Sequence, residues 1–149
     1  MAARLSTILR NKMLDGGSTG GMKMGLTLGF INVYSGPQPL TADLGATGTL
    51  LGTVSVNAGG TGLTFDASVA GVLSKAAAET WKFVGAADGV AGWFRFYEPT
   101  DTPSAVTTTK ARLDGSIASS GADMTIANIS IVTGAPNTVD VFSFTLPSA

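Results

Sequence analysis

Cysteine and histidine are both missing from this chain. Without cysteine there is no disulfide framework, and the fold does not depend on the redox state of its compartment. The double absence also excludes most zinc sites, Cys–His nucleophiles and the Ser–His–Asp triad. Charge is scarce as well: Asp, Glu, Lys and Arg make up 13% of the residues, against about 25% in an average soluble protein. Nine basic and ten acidic side chains leave a net charge of −1. The basic ones are scattered, apart from Arg4, Arg10 and Lys12, whereas nucleic acid is gripped by a clustered basic face. No apolar run approaches the ~20 residues that span a bilayer. The apolar patch after Arg4 is too short for a signal-peptide core. Neither nucleic acid nor a membrane is therefore expected as a partner, and the expected setting is the cytoplasm.

What fills the 149 residues instead is Gly, 20 of them, with much Ala, Ser and Thr. That length suits one domain able to bury roughly 70% of the surface its unfolded form exposes. Small residues between short apolar runs favour an all-β architecture over helices. So little charge also leaves little to hold neighbouring molecules apart, so association with another protein, including further copies of the chain, is expected.

Residues Ala3–Asp15 place Leu5, Ile8, Leu9 and then Lys12 or Met13 at helical spacing, with Ser6 or Thr7 as caps and Gly16-Gly17 as the stop. A helix this short has to dock, either on its own domain or, as an arm, on a neighbouring subunit. Gly16–Gly21 then reads as a flexible connector. It lacks the Gly-Lys-Ser/Thr ending of a phosphate-binding loop. Residues 1–21 are thus an arm with its connector, and 22–149 the main domain.

Within that domain the apolar alternation marks strands at Leu26–Ser35, Thr49–Val56, Glu79–Val84, Val90–Glu98, Ala111–Ala118, Met124–Val132 and Thr138–Leu146, with a brief one at Leu63–Phe65. Ala67–Ala78 reads as strand and turn, and Pro99–Thr109 as a loop. A bulge is expected at Asp114-Gly115 and a kink at Ala127-Asn128. The stretch Gly89–Pro99 is the most distinctive. Alternation puts Trp93, Arg95 and Tyr97 on one face and Phe94 and Phe96 on the other, so both faces should be covered. Asp88-Gly89 suggests a hairpin joining Thr80–Val84 to Val90–Phe96, with Trp81 and Trp93 in one sheet. About eight strands at regular spacing predict a two-sheet antiparallel β-sandwich, whose connections follow a jelly-roll or an immunoglobulin-like order, the jelly-roll-like one being the first reading. Phe94 and Phe96 are expected inside it with Phe142 and Phe144.

Candidate sites are few. Asp114 and Asp123 flank one strand and its turn, but calcium needs six to eight oxygen ligands, and aspartates beside glycine are usually turn formers. Glu79 and Glu98, the only two glutamates, are a weak candidate for a glycosidase-type pair. Trp93, Arg95 and Tyr97 either form a platform for a sugar or single strand, or pack with the arginine head on an acid such as Asp140 or Glu98. No catalytic, cofactor or metal residues are assigned. Leu5, Ile8, Leu9, Trp93, Arg95 and Tyr97 are the candidate protein-interface residues.

Tyr34-Ser35-Gly36-Pro37-Gln38-Pro39, Ala42-Asp43 and Ala46-Thr47-Gly48-Thr49-Leu50-Leu51 resemble a group of small structural proteins of tailed bacteriophages and prophages. The likeness returns at Gly92-Trp93-Phe94-Arg95, Leu113-Asp114-Gly115-Ser116, Gly121-Ala122-Asp123, the closing strand, and the opening Ala3-Arg4-Leu5-Ser6 and Met13-Leu14-Asp15. Asn57–Ala78 lies outside it. The resemblance implies a virion component and no enzyme. Its first reading is a capsid cement or decoration protein, a dimer or trimer that binds the major capsid protein on the head surface after assembly in the host cytoplasm. A tail or neck component and a carbohydrate-binding module are the alternatives.

Overall fold

A computed structural model describes residues 3–9, 13 and 21–146. Among the described residues eleven strands follow one another: β1 (Arg4–Leu5), β2 (Phe30–Tyr34), β3 (Leu50–Val56), β4 (Val72–Ser74), β5 (Trp81–Val84), β6 (Gly89–Val90), β7 (Trp93–Tyr97), β8 (Arg112–Ala118), β9 (Met124–Ile126), β10 (Ser130–Ile131) and β11 (Pro136–Thr145). The all-β class holds, but the two-sheet sandwich does not. Seven of the strands close into a barrel in the order β8–β7–β2–β3–β5–β11–β9 and back to β8. Closure comes from the short β9, which pairs antiparallel with β11 and parallel with β8. β1 and β4 extend the sheet beyond the ring, on β8 and β11, and β6 with β10 forms a small separate ribbon.

Alternation decides what fills the barrel. On β2, Ile31 and Val33 point inward, in register with Phe96 and Phe94 of β7, which in turn face Leu113 and Gly115 of β8. A Cβ at Gly115 would lie 2.7 Å from the Phe94 ring, so glycine makes room for the ring. The pairing through Asp114 and Gly115 is regular and carries no bulge. Trp81 and Phe83 enter from β5, and Phe142 meets Trp81, Phe94 and Phe96 at ring-centroid distances of 5.4, 5.7 and 5.8 Å. Tilted and edge-to-face contacts of this kind add to what area burial alone supplies. The expected company of Phe94, Phe96 and Phe142 is present, with Phe144 packed only at the edge of the cluster. A register shift between Val139 and Val141 brings Val139 and Phe142 to the same interior and leaves Val141 outside.

Several local expectations change. The hairpin between the tryptophan strands is absent: β5 pairs with β3 and β11, while β7 pairs with β2 and β8. Asp88 instead accepts hydrogen bonds from the Thr133 backbone and hydroxyl at 2.7 and 2.9 Å, holding the β5–β6 turn to the β10–β11 turn. Met22–Leu26 is a short helix, so the strand expected from Leu26 starts only at Phe30. The kink at Ala127-Asn128 does separate β9 from β10. At the N-terminus, Arg4 and Leu5 form a strand, and residues 7–9 and 13 are helical. The Ser6 hydroxyl accepts from the Leu9 N–H at 3.3 Å and from the Arg112 N–H at 3.0 Å. One side chain thus caps the helical turn and ties it to β8. The Gly16–Gly20 part of the expected connector lies outside the described residues.

Candidate functional site

The outward face of β3–β2–β7–β8–β1 carries an unusual row. Register places Thr53, Asn32, Arg95, Asp114 and Arg4 side by side across five strands. The flanking rows hold Tyr34, Trp93 and Ser116, and Phe30, Tyr97 and Arg112. Polar residues on an outer barrel face normally meet water. Here Arg95, Arg112 and Asp114 are 0% exposed, because the loops between β2 and β3 and between β7 and β8 fold back over them.

Two guanidinium groups hold that cover. Arg95 grips Asp114 with two parallel hydrogen bonds of 2.7 Å, and its remaining nitrogen donates to the carbonyls of Leu44 and Pro103, both at 2.8 Å. Arg112 grips Asp101 at 2.6 and 2.8 Å and donates to the carbonyls of Ala42, Leu44 and Thr102 at 3.2, 3.2 and 2.9 Å. A rigid fork with five donors can hold both oxygens of a carboxylate and reach loop carbonyls as well, whereas a lysine offers three donors from a single point. Burial raises the Asp114 carboxyl above its ordinary value, against the opposing pull of Arg95, Arg112 and Arg4.

The loops are also joined to each other and to the arm. The Thr107 N–H donates to the Asp43 carbonyl at 2.9 Å, and the Ala46 N–H to that of Pro103 at 3.0 Å. The Asp43 carboxylate accepts from the Thr7 N–H and hydroxyl at 2.8 and 2.6 Å, while Arg4 donates to the Pro39 carbonyl. Gly48, at φ +84°, turns the first loop so tightly that an added Cβ would strike the Ser35 carbonyl. Beneath the layer, Tyr34 stacks on Trp93 at 4.6 Å, and the Arg95 guanidinium lies 5.6 Å from the Trp93 ring centre. Burial pushes the Tyr97 hydroxyl up to about 12, with Tyr34 and Asp101 adding to it.

The interface residues expected from sequence divide accordingly. Leu9, Trp93 and Arg95 are buried within the monomer and offer no surface to a partner. Leu5, Ile8 and Tyr97 are half-buried, Leu5 and Ile8 against the core. Arg95 pairs with Asp114, not with Asp140 or Glu98. Asp123 sits in its turn, accepting from the Ser116 N–H and hydroxyl at 2.9 and 3.0 Å. Glu79 accepts from Thr64 and from the Trp81 indole, and Glu98 from Ala111, Thr100 and Lys110. Each glutamate is thus engaged by its own neighbours. Among the described residues, no three acidic side chains gather in a way that would hold a metal ion. Arg112, Asp101 and the exposed loop residues Leu40 and Val106 escaped the sequence reading. The available signal was an Arg-x-Asp alternation on β8 in a chain with so little charge.

No family model matches this sequence, and no similar curated protein or solved structure is found.

Proposed function

We propose that this chain is a structural component of a tailed-bacteriophage particle, and within it a capsid cement protein on the outer surface of the head. The observation that carries the reading is the use of the buried charge: two guanidinium groups and their carboxylates fix the shape of two surface loops. A preformed surface suits a protein whose task is to fit others, because ordering costs are met before contact. The resemblance spread along the chain supplies the setting. Its partners are then the major capsid protein and further copies of itself. The mechanism is avidity, many modest contacts on a symmetric lattice with each copy bridging neighbouring shell subunits.

Cryo-microscopy of purified particles tests this directly, with density for the chain expected on the head. Density at the tail or neck would make it a tail component, and absence from the particle would end the virion reading. A sugar-binding role through Trp93, Arg95 and Tyr97 loses its platform, since the first two lie under the loop layer.

A further inference from the structure

Residues Arg4–Leu9 rest on the barrel without belonging to its ring. Among the described residues β1 pairs with β8 alone, through two register pairs, and the seven strands close without it. A terminal element held this lightly by backbone pairing opens before the body that carries it, while Leu9, seated in the core cluster, sets how rarely that happens. The segment also reaches the loops. The Ser6 N–H donates to the Arg112 carbonyl at 3.0 Å, and the Ser6 hydroxyl accepts the Arg112 N–H, so the residue whose guanidinium clamps both loops is itself held from the segment. Arg4 donates to the Pro39 carbonyl, and the Thr7 N–H and hydroxyl donate to the Asp43 carboxylate. Asp43 is where the fixings meet. Its carbonyl takes the Thr107 N–H from the other loop, and the carbonyls on either side of it, Ala42 and Leu44, are held by Arg112. Segment, barrel and second loop thus act on the consecutive residues Ala42, Asp43 and Leu44.

We propose that Arg4–Leu9 is a latch. It leaves the barrel as a unit while the ring stays closed, and its leaving unfastens the loop layer at Asp43. The physical step is the loss of the donors on that residue. Its carboxylate, no longer held by Thr7, turns to water, and the bond that its carbonyl accepts from Thr107 goes with the movement. Two surfaces are thereby coupled, the N-terminal segment and the loops above Arg95 and Arg112. Coupling of this kind is reciprocal: a partner that captures the segment loosens the layer, and a partner that grips the layer holds the segment down. The device goes beyond the proposed function and holds wherever the chain is placed.

Native-state hydrogen exchange of the full chain, read amide by amide by NMR, tests the proposal. In the wild type the Ser6, Thr7, Ala46 and Thr107 amides should share one degree of protection, at least about tenfold below that of β2, β3 and β7. Protection at Ser6 and Thr7 equal to that of the ring strands would overturn it, because the segment would then open only with the barrel. Thr7→Val removes one bond to Asp43 from the segment's side, and Asp43→Ala removes both from the loop's side. Thr7→Val should lower protection at Ala46 and Thr107 about tenfold, as expected for a lost hydrogen bond to a charged group, and by the same factor as at Ser6. Asp43→Ala should in turn lower it at Ser6, whose own partner is Arg112. A change confined to the substituted side would also overturn the latch, since segment and layer would then open independently. The wild-type comparison stands even where a variant fails to fold.

Discussion

Arg95 and Asp114 show how a charged pair can matter more broken than kept. Taking both out of water costs several kcal/mol per ion, and their mutual attraction with good geometry roughly offsets it. Removing one partner leaves the other buried and unpaired. Asp114→Asn should therefore lower the unfolding free energy by about 3–5 kcal/mol in urea titration, while Arg95→Met with Asp114→Leu recovers part of that loss. A double variant no better than the single would mean that the loop carbonyls, not the ion pair, carry the cost. The two glutamates make a separate, milder case. Burial raises Glu79, but hydrogen bonds from the Thr64 side chain and backbone and from Trp81, with the charge of Lys75, bring it below its ordinary 4.5. Glu98 follows the same pattern through Ala111, Thr100 and Lys110. A carboxyl depressed in the folded state binds fewer protons there than when unfolded, so its stabilisation is complete above about pH 4.5 and lost as pH falls through the folded value. Glu79→Gln with Glu98→Gln should flatten the acid limb of melting temperature against pH. An unchanged limb would assign acid sensitivity to other groups.

At the scale of elements, β7 was the most legible, because alternating bulky side chains in a short run leave only one way to divide two faces. Its two covers were legible only in part: Phe142 was expected beside Phe94 and Phe96, while the loops over Arg95 were not. Phe94 and Phe96 face a barrel interior whose other walls come from distant strands, and Trp93 and Arg95 face loops that read only as polar linkers. At the N-terminus the residues before the helical turn were misread for a related reason, Arg4 and Leu5 being strand and residues 7–9 helical as expected. Leu5, Ile8 and Leu9 sit at helical spacing, yet Arg4 and Leu5 pair with Asp114 and Leu113, a two-residue tertiary pairing that overrides the local pattern at its first position. The arm belongs to the fold: Leu9 is fully buried in the main core cluster. Leu9→Ala should cost about 2–5 kcal/mol, read from denaturant unfolding of the full chain, and deletion of residues 1–15 should cost at least as much. A truncated chain as stable as the wild type would restore the arm to a role outside its own domain.

The choice between sandwich and barrel is settled for the whole molecule by a single seam, which no strand pattern announces. Sequence periodicity reports which side of a strand is buried, and both architectures bury one side of every strand. Here β8 passes from β1 to β9 along one edge, and the chain then steps sideways through residues 119–123 to run parallel beside itself, Ile117 opposite Met124 and Ala118 opposite Thr125. Parallel neighbours ordinarily need a crossover of a dozen or more residues, so this short step needs a clamp. Asp123 supplies it: its carboxylate takes the Ser116 N–H and hydroxyl, while its own N–H donates to the Ser116 hydroxyl at 3.3 Å. With only two register pairs on the β8 side, the seam is no longer than the β3–β5 join and is the one parallel join of the ring, and local opening should begin there. Asp123→Ala removes the clamp and should cost about 1–3 kcal/mol. Native-state hydrogen exchange should locate the loss, with amides of Met124–Ile126 losing protection while those of β2, β3 and β7 keep theirs. Uniform loss across all strands would mean that the ring opens only by global unfolding and that Asp123 stabilises it no more at the seam than elsewhere.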